Sequence, residues 1–321
     1  WQKKLYNLLE ELREKAFQKT YLIPKPDVVA LFKELDKEGK KVYRPIANFQ
    51  YIDRLLISQL NKYLTHKLDP LFSDCSYAFR STETPGKSFS HHKAIEDIIS
   101  YKENFINEDL WVAEYDIKKF YDCVNHTVIK ESFDSKVKTL IEQGVEINKR
   151  AIELFYSYLN CYSFNFDVKT IKLGKDKYFG WVNNKELDEI NSNEKTDKIG
   201  VPQGGALSCL IANIIMDDVD KEVLKFNDGN LFYARFCDDM VLIHPNGEVC
   251  KTTLNSYSLA LKKVKLVGHT PTNIVEYNKA FWDSKSKAPY KWATNPRAMD
   301  KKNNVPWLSF VGYQVSPSLK V

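Results

Sequence analysis

The chain has 321 residues, 43% hydrophobic and 13% aromatic, enough for a substantial core in one large domain or two subdomains. Its 47 basic and 42 acidic residues leave a net charge of +5, which permits a nucleic-acid partner without requiring one. No apolar run approaches the ~20 residues of a membrane span and nothing at the start resembles a signal peptide, while six cysteines without a CxxC spacing speak for reduced thiols in a cytosol rather than a zinc site or disulfide framework.

The first residue is Trp1 rather than Met, which suggests an excised stretch of a longer chain. Leu5, Leu8, Leu9 and Leu12 fall at helical spacing and predict an amphipathic helix over residues 1–17. From Ile46, IANFQYIDRLLISQLNKYL predicts a second helix with Asp53 and Arg54 on its exposed side. His91-His92 reads as a solvated loop pair rather than a metal site. LWVAEYDI, residues 110–117, alternates and then turns acidic, as suits a strand. Residues 127–160 read as mostly helical; residues 165–198 are polar, broken by Gly174 and Gly180, and read as a hairpin or loop insertion. Strands and helices mixed without βαβ regularity give an α+β class.

The helix after VPQGG is the clearest element. Leu207, Leu210, Ile211, Ile214 and Ile215 form one apolar face, and Gly204 and Gly205 precede it, where the backbone can approach a ligand closely. Asp238 and Asp239 stand side by side in YARFCDDMVLI between strand-like flanks, and Asp116 ends the strand of EYDIKKFYDCVNH. A lone Asp-Asp pair is commonly a turn. If neighbouring strands bring Asp116 to the pair, however, three carboxylates converge, and such a cluster calls for hard dications such as Mg²⁺. A pair of ions ~3.5–4 Å apart would clamp an in-line phosphoryl displacement.

In order along the chain, EYDIKKFYDCVNH, GVPQGGALSCLIANIIMDDVD, YARFCDDMVLI and WLSFVGYQV resemble the palm motifs of prokaryotic reverse transcriptases of the group II intron, retron and abortive-infection or defence lineage. Upstream, YRPIANFQYIDRLL and SYAFRSTETPGKS resemble their fingers motifs. The resemblance implies a right-hand polymerase core, with fingers at 1–105 and a palm at 106–321 that carries the 165–198 insertion. It implies that Asp116 and Asp238 ligate two Mg²⁺ ions (Mn²⁺ being an alternative), that Asp239 assists, and that the Ile117 carbonyl completes the site. Tyr121 would be the steric gate under the incoming sugar. Gln203 with the Gly204-Gly205 backbone would line the nascent base pair, and Arg44, Lys37 and Arg80 would meet the triphosphate. Leu308 to Tyr313 would form a primer-grip hairpin.

There are departures. Cys237 stands where alanine is usual and Cys209 where proline is, Asn273 takes the place of an expected lysine with Lys279 a distant substitute, and the VTG and NAxxH signatures of retron enzymes are missing. Only six residues follow Val315, so the thumb expected of the family is absent from this chain or truncated. The implied function is RNA-directed DNA synthesis from dNTPs by a cytoplasmic enzyme. Its implied partner is an RNA template, a cognate non-coding RNA in antiphage defence being the favoured case. The alternatives are an intron-type, RNA-binding maturase enzyme and a non-catalytic RNA-binding scaffold.

Overall fold

The structure is a computed structural model and describes residues 2–81, 88–105, 108–273, 279–292 and 307–320. Its first half runs α1 (Gln2–Phe17), β1 (Asp27–Leu35), β2 (Lys41–Asn48), α2 (Tyr51–Leu68), α3 (His91–Glu103), β3 (Leu110–Tyr115), α4 (Phe120–Cys123), α5 (His126–Glu142) and α6 (Lys149–Asn160). There follow β4 (Lys177–Phe179), α7 (Asn184–Glu189), α8 (Ala206–Leu224), β5 (Phe232–Phe236), β6 (Asp239–His244), α9 (Gly247–Lys263), α10 (Lys279–Trp282), β7 (Lys287–Trp292), β8 (Leu308–Phe310) and β9 (Tyr313–Val315). This is the predicted α+β class. Among the described residues no helix is long and apolar enough to cross a membrane. The chain divides into two compact units, Trp1–Leu71 with Lys119–Ile215 and Phe72–Lys118 with Met216–Val321.

In the first unit α2, α5 and α6 build the helical core. Ile52, Leu56, Leu60 and Leu64 of α2 recur along one face and are buried. Phe133 of α5 stacks on Phe155 of α6 with ring centroids 3.8 Å apart. Asn125 and Asn148 cap these two helices by accepting the backbone N–H groups of Thr127 and Arg150. The helix predicted from Ile46 starts instead at Tyr51, because Ile46 to Asn48 complete the pairing of β2 with β1. Asp53 is buried, not exposed as expected: Lys15 Nζ lies 3.2 Å from its carboxylate and the Tyr21 hydroxyl donates to it. A sheet of order β1-β2-β4 lies in the same unit, with β2 antiparallel to β1 and parallel to β4. The predicted loop insertion is partly ordered by local signals. Phe164–Val168 makes one π-helical turn, Phe164 stacks on Trp181 at 4.3 Å, and Asn183 with Glu186 forms a capping box on α7.

The second unit is organised on an antiparallel sheet of order β5-β6-β3-β7. Alternation sorts its side chains. Leu110 and Val112 of β3, Val241 and Ile243 of β6 and Ala234 of β5 join one core with Ala94, Ile95 and Ile98 of α3 and with Leu308, Phe310 and Val315 of the β8–β9 hairpin. Tyr115 and Tyr233 alternate with that set and meet Tyr257 of α9. His91 and His92 open α3 rather than sitting in a loop. Ser90 caps that helix by accepting the Lys93 N–H, and the Tyr313 hydroxyl lies 3.0 Å from His92 Nδ1.

Candidate active site

Register alone brings two of the carboxylates together. The β3–β6 pairing ends at Tyr115↔Met240, so Asp116 and Asp239 are one step beyond it on adjacent strands. The β5–β6 hairpin closes with Phe236↔Asp239, leaving Cys237 and Asp238 as a two-residue turn. Cys237 has φ +60°, a conformation that is uncommon for a residue with a Cβ. The side chain below holds it: Arg235, fully buried, donates Nη1 to the Cys237 carbonyl at 3.0 Å. The same guanidinium grips Asp220 of α8 through Nε at 2.9 Å and Nη2 at 2.7 Å, and the Tyr233 hydroxyl donates to that carboxylate at 2.6 Å. Asp116 is held through its backbone. Its N–H donates to Ser286 Oγ at 3.0 Å, and its carbonyl accepts the His269 N–H at 3.0 Å. Ile117 is buried and bridges to Gly268, where a Cβ would lie 2.1 Å from the Tyr115 hydroxyl, so the close approach requires glycine.

The electrostatics follow from this crowding. Burial and then the Asp116 charge raise the Asp238 carboxyl above the usual carboxylate range. Asp239 is pushed up to about 7 by desolvation first, then by Asp238 and Asp116, with Lys285 opposing. Its side chain has an exposed surface overall, so the repulsion from its neighbours is the cause that the geometry supports best. Among the described residues no group of three or more His, Cys, Asp or Glu side chains stands ready-made to hold a metal ion. The chemistry of the set still fits one. Its donors are all carboxylate oxygens, the choice of a hard dication, and their mutual repulsion is what a cation would relieve.

Glu114, two residues before Asp116, was not singled out in the sequence. Its buried carboxylate takes the Lys287 ammonium and accepts the Tyr290 hydroxyl at 2.5 Å and the Ser309 N–H at 3.2 Å. This ties the β8–β9 hairpin to the strand that carries Asp116. The hairpin itself turns at Val311 and Gly312, φ +47° and +85°, where the predicted primer grip stands. A cavity of about 230 Å³ is lined by Glu114, Asp239, Lys285 and the hairpin residues 309–314. Arg80, expected at the triphosphate, has its guanidinium on the carbonyls of Ser73 and Ser76 at 2.9 and 3.0 Å and over the Phe89 ring at 4.1 Å. Asn273 is exposed; residues 82–87 of the fingers motif and the Lys279 side chain lie outside the described residues.

The first unit assembles the PQGG loop. Val201 N–H donates to the Tyr121 carbonyl at 2.8 Å, and Ala47 N–H to the Gln203 carbonyl at 2.8 Å, so the loop is strapped to the Tyr121 turn and to β2. Gln203 Nε2 donates to Asp122 Oδ1 at 2.7 Å, which fixes the amide. Burial pushes the Asp122 carboxyl up to about 7, against the Gln203 hydrogen bond and the charges of Lys119 and Arg44. Arg44 is exposed on β2. Gly204 has φ +91°, and a Cβ at Gly205 would fall 2.0 Å from the Tyr158 hydroxyl, which meets Ser208 Oγ at 2.8 Å. Tyr121 is half-buried, edge-on to Phe120 at 5.2 Å, and hydrogen-bonded to the Cys209 thiol.

A hairpin turn with two carboxylates, a third on the neighbouring strand and a Gly-rich loop before a buried helix define the fingers-and-palm fold of a reverse transcriptase. Residues 23–270 match the family described as reverse transcriptase (RNA-dependent DNA polymerase), and the chain belongs to that family. It is 26% identical over 189 residues to the group II intron-encoded protein LtrA of Lactococcus lactis subsp. cremoris, a stretch covering 59% of this chain and 24% of LtrA. It is 25% identical over 178 residues to an uncharacterized 91 kDa protein in a cob intron of Schizosaccharomyces pombe, covering 56% of this chain and 17% of that one. The chain thus spans about a quarter or less of the length of these relatives. Among solved structures, apo telomerase from Candida tropicalis, truncated from its C-terminal domain, superimposes with a TM-score of 0.54 at 16% identity, covering 93% of this chain and 54% of that one. Telomerase from Candida albicans in complex with a TWJ fragment of telomeric RNA gives 0.53 at 15%, covering 93% and 45%. At these identities the likeness is one of fold.

Proposed function

We propose that the protein is an RNA-directed DNA polymerase whose catalytic carboxylates are Asp116, Asp238 and Asp239, with two Mg²⁺ ions, or Mn²⁺ in their place, as cofactors. The observation that carries this is the placement of the three carboxylates at adjacent strand ends and the turn between them, where burial and then their neighbours' charge raise Asp238 and Asp239. Bound there, divalent cations would offset the negative charge that an in-line displacement at phosphorus gathers on its oxygens. Asp116 and Asp238 would hold the cations, Asp239 would add a third carboxylate, and the Ile117 carbonyl would complete the oxygen set. Gln203, its amide fixed by Asp122, and the backbone of Gly204 and Gly205 line the nascent base pair. Tyr121 packs beneath the sugar and excludes a 2′-hydroxyl, and Arg44 meets the triphosphate. Arg80 acts through the carbonyls it holds, ordering the segment around Ser73 and Ser76.

The substrates are dNTPs, the product is DNA, and the template is RNA. A cytoplasmic setting suits six cysteines that form no disulfide. The cysteine of the FCDD turn and the missing retron signatures favour a defence role with a cognate non-coding RNA. A second reading, an intron-type enzyme that mainly binds its own RNA, is favoured by the intron-encoded relatives. The test of the polymerase is Asp238→Asn, assayed for Mg²⁺-dependent dNTP incorporation on a primed RNA template. Loss of incorporation with RNA binding retained is expected; incorporation at the wild-type rate would remove the assignment. Sequencing the RNA that copurifies with the protein separates a cognate non-coding RNA from an intron.

A further inference from the structure

The segment between α6 and α8 contains a cavity that the polymerase chemistry does not use. It encloses about 440 Å³ and is lined by Lys169, Lys172 and Lys177 around Ile171, Tyr178 and Trp181. That volume is in the ~300–1,000 Å³ range of small-ligand pockets. Its floor is closely packed. Trp181 lies flat on Phe164, with ring planes 6° apart, and the Lys169 ammonium sits 5.8 Å over the Trp181 ring while pairing with Glu194 at 2.6 Å. The rim is exposed, Tyr178 by 40% and Ile171 by 36%.

The cavity does not stand alone. β4, which carries Lys177, Tyr178 and Phe179, pairs in parallel with β2 at Lys41, Val42 and Tyr43. Lys41 is therefore the register partner of Lys177, with its N–H donating to the Asp176 carbonyl at 2.9 Å. Among the described residues Lys41, Lys172 and Lys177 have no ion-pair partner. A basic edge thus runs along the sheet into a pocket with aromatic walls, and the carboxylates beside it are already engaged, Asp36 by the Tyr178 hydroxyl at 2.9 Å and Glu194 by Lys169. A groove of positive charge that tracks a backbone, joined to aromatic faces on which any base can stack, is the physical requirement for holding a single strand of nucleic acid.

We propose that this pocket and the lysines beside it bind a single-stranded segment of RNA, one base entering the pocket and the flanking phosphates lying on Lys41, Lys172 and Lys177. It deepens the polymerase reading above, on which the choice of RNA rests. The site is sequence-tolerant, because stacking and phosphate contacts carry no base code. It gives the protein a hold on RNA outside any base-paired template.

The test uses the whole chain and a short single-stranded oligoribonucleotide carrying 4-thiouridine. Irradiation should crosslink the RNA to a peptide within residues 169–181. Tyr178→Ala should weaken binding about five- to a hundredfold, the range seen when one stacked base loses its aromatic partner, while Tyr178→Phe, which keeps the ring, should bind as wild type. The double variant K172E/K177E should lower the slope of log affinity against log salt by about 1.4, two phosphate contacts at ~0.7 each. Crosslinks confined to other segments, or affinity and salt slope unchanged in both Tyr178→Ala and K172E/K177E, would overturn the proposal. So would a Tyr178→Phe loss as large as that of Tyr178→Ala. Failure of the polymerase assignment shows separately, as incorporation surviving Asp238→Asn.

Discussion

The sheet β5-β6-β3-β7 buries its strands and gathers its uncompensated charge at one turn, whereas the sheet β1-β2-β4 leaves Val29, Leu31, Phe32 and Leu35 of its edge strand exposed and carries unpaired lysines. In the first, the buried charges near the turn are committed. Arg235 holds Asp220 and the Cys237 carbonyl, and Glu114 holds Lys287, Tyr290 and the Ser309 N–H. The contrast shows where rigidity is built in. Reacting groups need fixed geometry, so buried pairs surround the carboxylates and hold them together against their repulsion. A surface that takes a strand of varied sequence needs area and charge instead, and its residues can change with little cost to the fold.

The contrast breaks most visibly at Arg235. Arg235→Met strands the Asp220 carboxylate in the core and should lower unfolding stability by about 3–5 kcal/mol in a urea melt, as loss of one partner of a buried ion pair does. Leu31→Lys on β1 should change it by less than about 0.5 kcal/mol. Similar losses at both positions would erase the distinction between the two sheets.

Next in size is a pH effect within the first unit. His126 is buried and donates Nε2–H to the Gly200 carbonyl at 2.8 Å, while its Nδ1 lacks a partner. Burial lowers it from 6.5 to about 4, so the folded protein holds it neutral. The unfolded chain binds the extra proton between those values, so this contribution is complete above pH 6.5 and is lost as pH falls through about 4, about 3 kcal/mol in all. Asp122 has the opposite sign. Raised to about 7, it favours the fold below its ordinary range and loses that contribution as pH rises through 7. Stability curves of Asp122→Asn and of the Asp122→Asn/His126→Gln pair separate the two: the first should keep the acid-side loss and the second should flatten it. Equal acid slopes in both would contradict the assignment to His126.

The smallest effect is one of selectivity. Truncating Tyr121 to Ala opens the space beneath the sugar, and removing an overpacking penalty of ~1–3 kcal/mol should raise rNTP use relative to dNTP by about ten- to a hundredfold. Single-nucleotide extension with GTP or dGTP opposite the same base reads it. An unchanged ratio would make Tyr121 ordinary packing for its Cys209 neighbour.

What could be read in the sequence was local. The Asp-Asp pair between apolar flanks, the glycines before a helix and the strand ending in Asp116 each carry their signal within about a dozen residues, and the α+β class follows from them. What could not be read depends on distant partners. Arg235 meets Asp220 across 15 positions and Lys287 meets Glu114 across 173, and neither residue type announces burial. The burial of Asp53 is hidden for the same reason, because Lys15 and Tyr21, far upstream, cover it. β1 left no alternating pattern to find, since its apolar residues stand exposed on both faces.

The most direct test of the central claim, that three carboxylates are held together for cations rather than for the fold, is the thermal midpoint of wild type and Asp238→Asn with EDTA and with Mg²⁺ or Mn²⁺. Neutralising one member of a repelling set should leave the variant at least as stable as wild type in EDTA, while wild type alone should rise as the metal is added. A variant that melts lower in EDTA and still rises with metal like wild type would contradict the account.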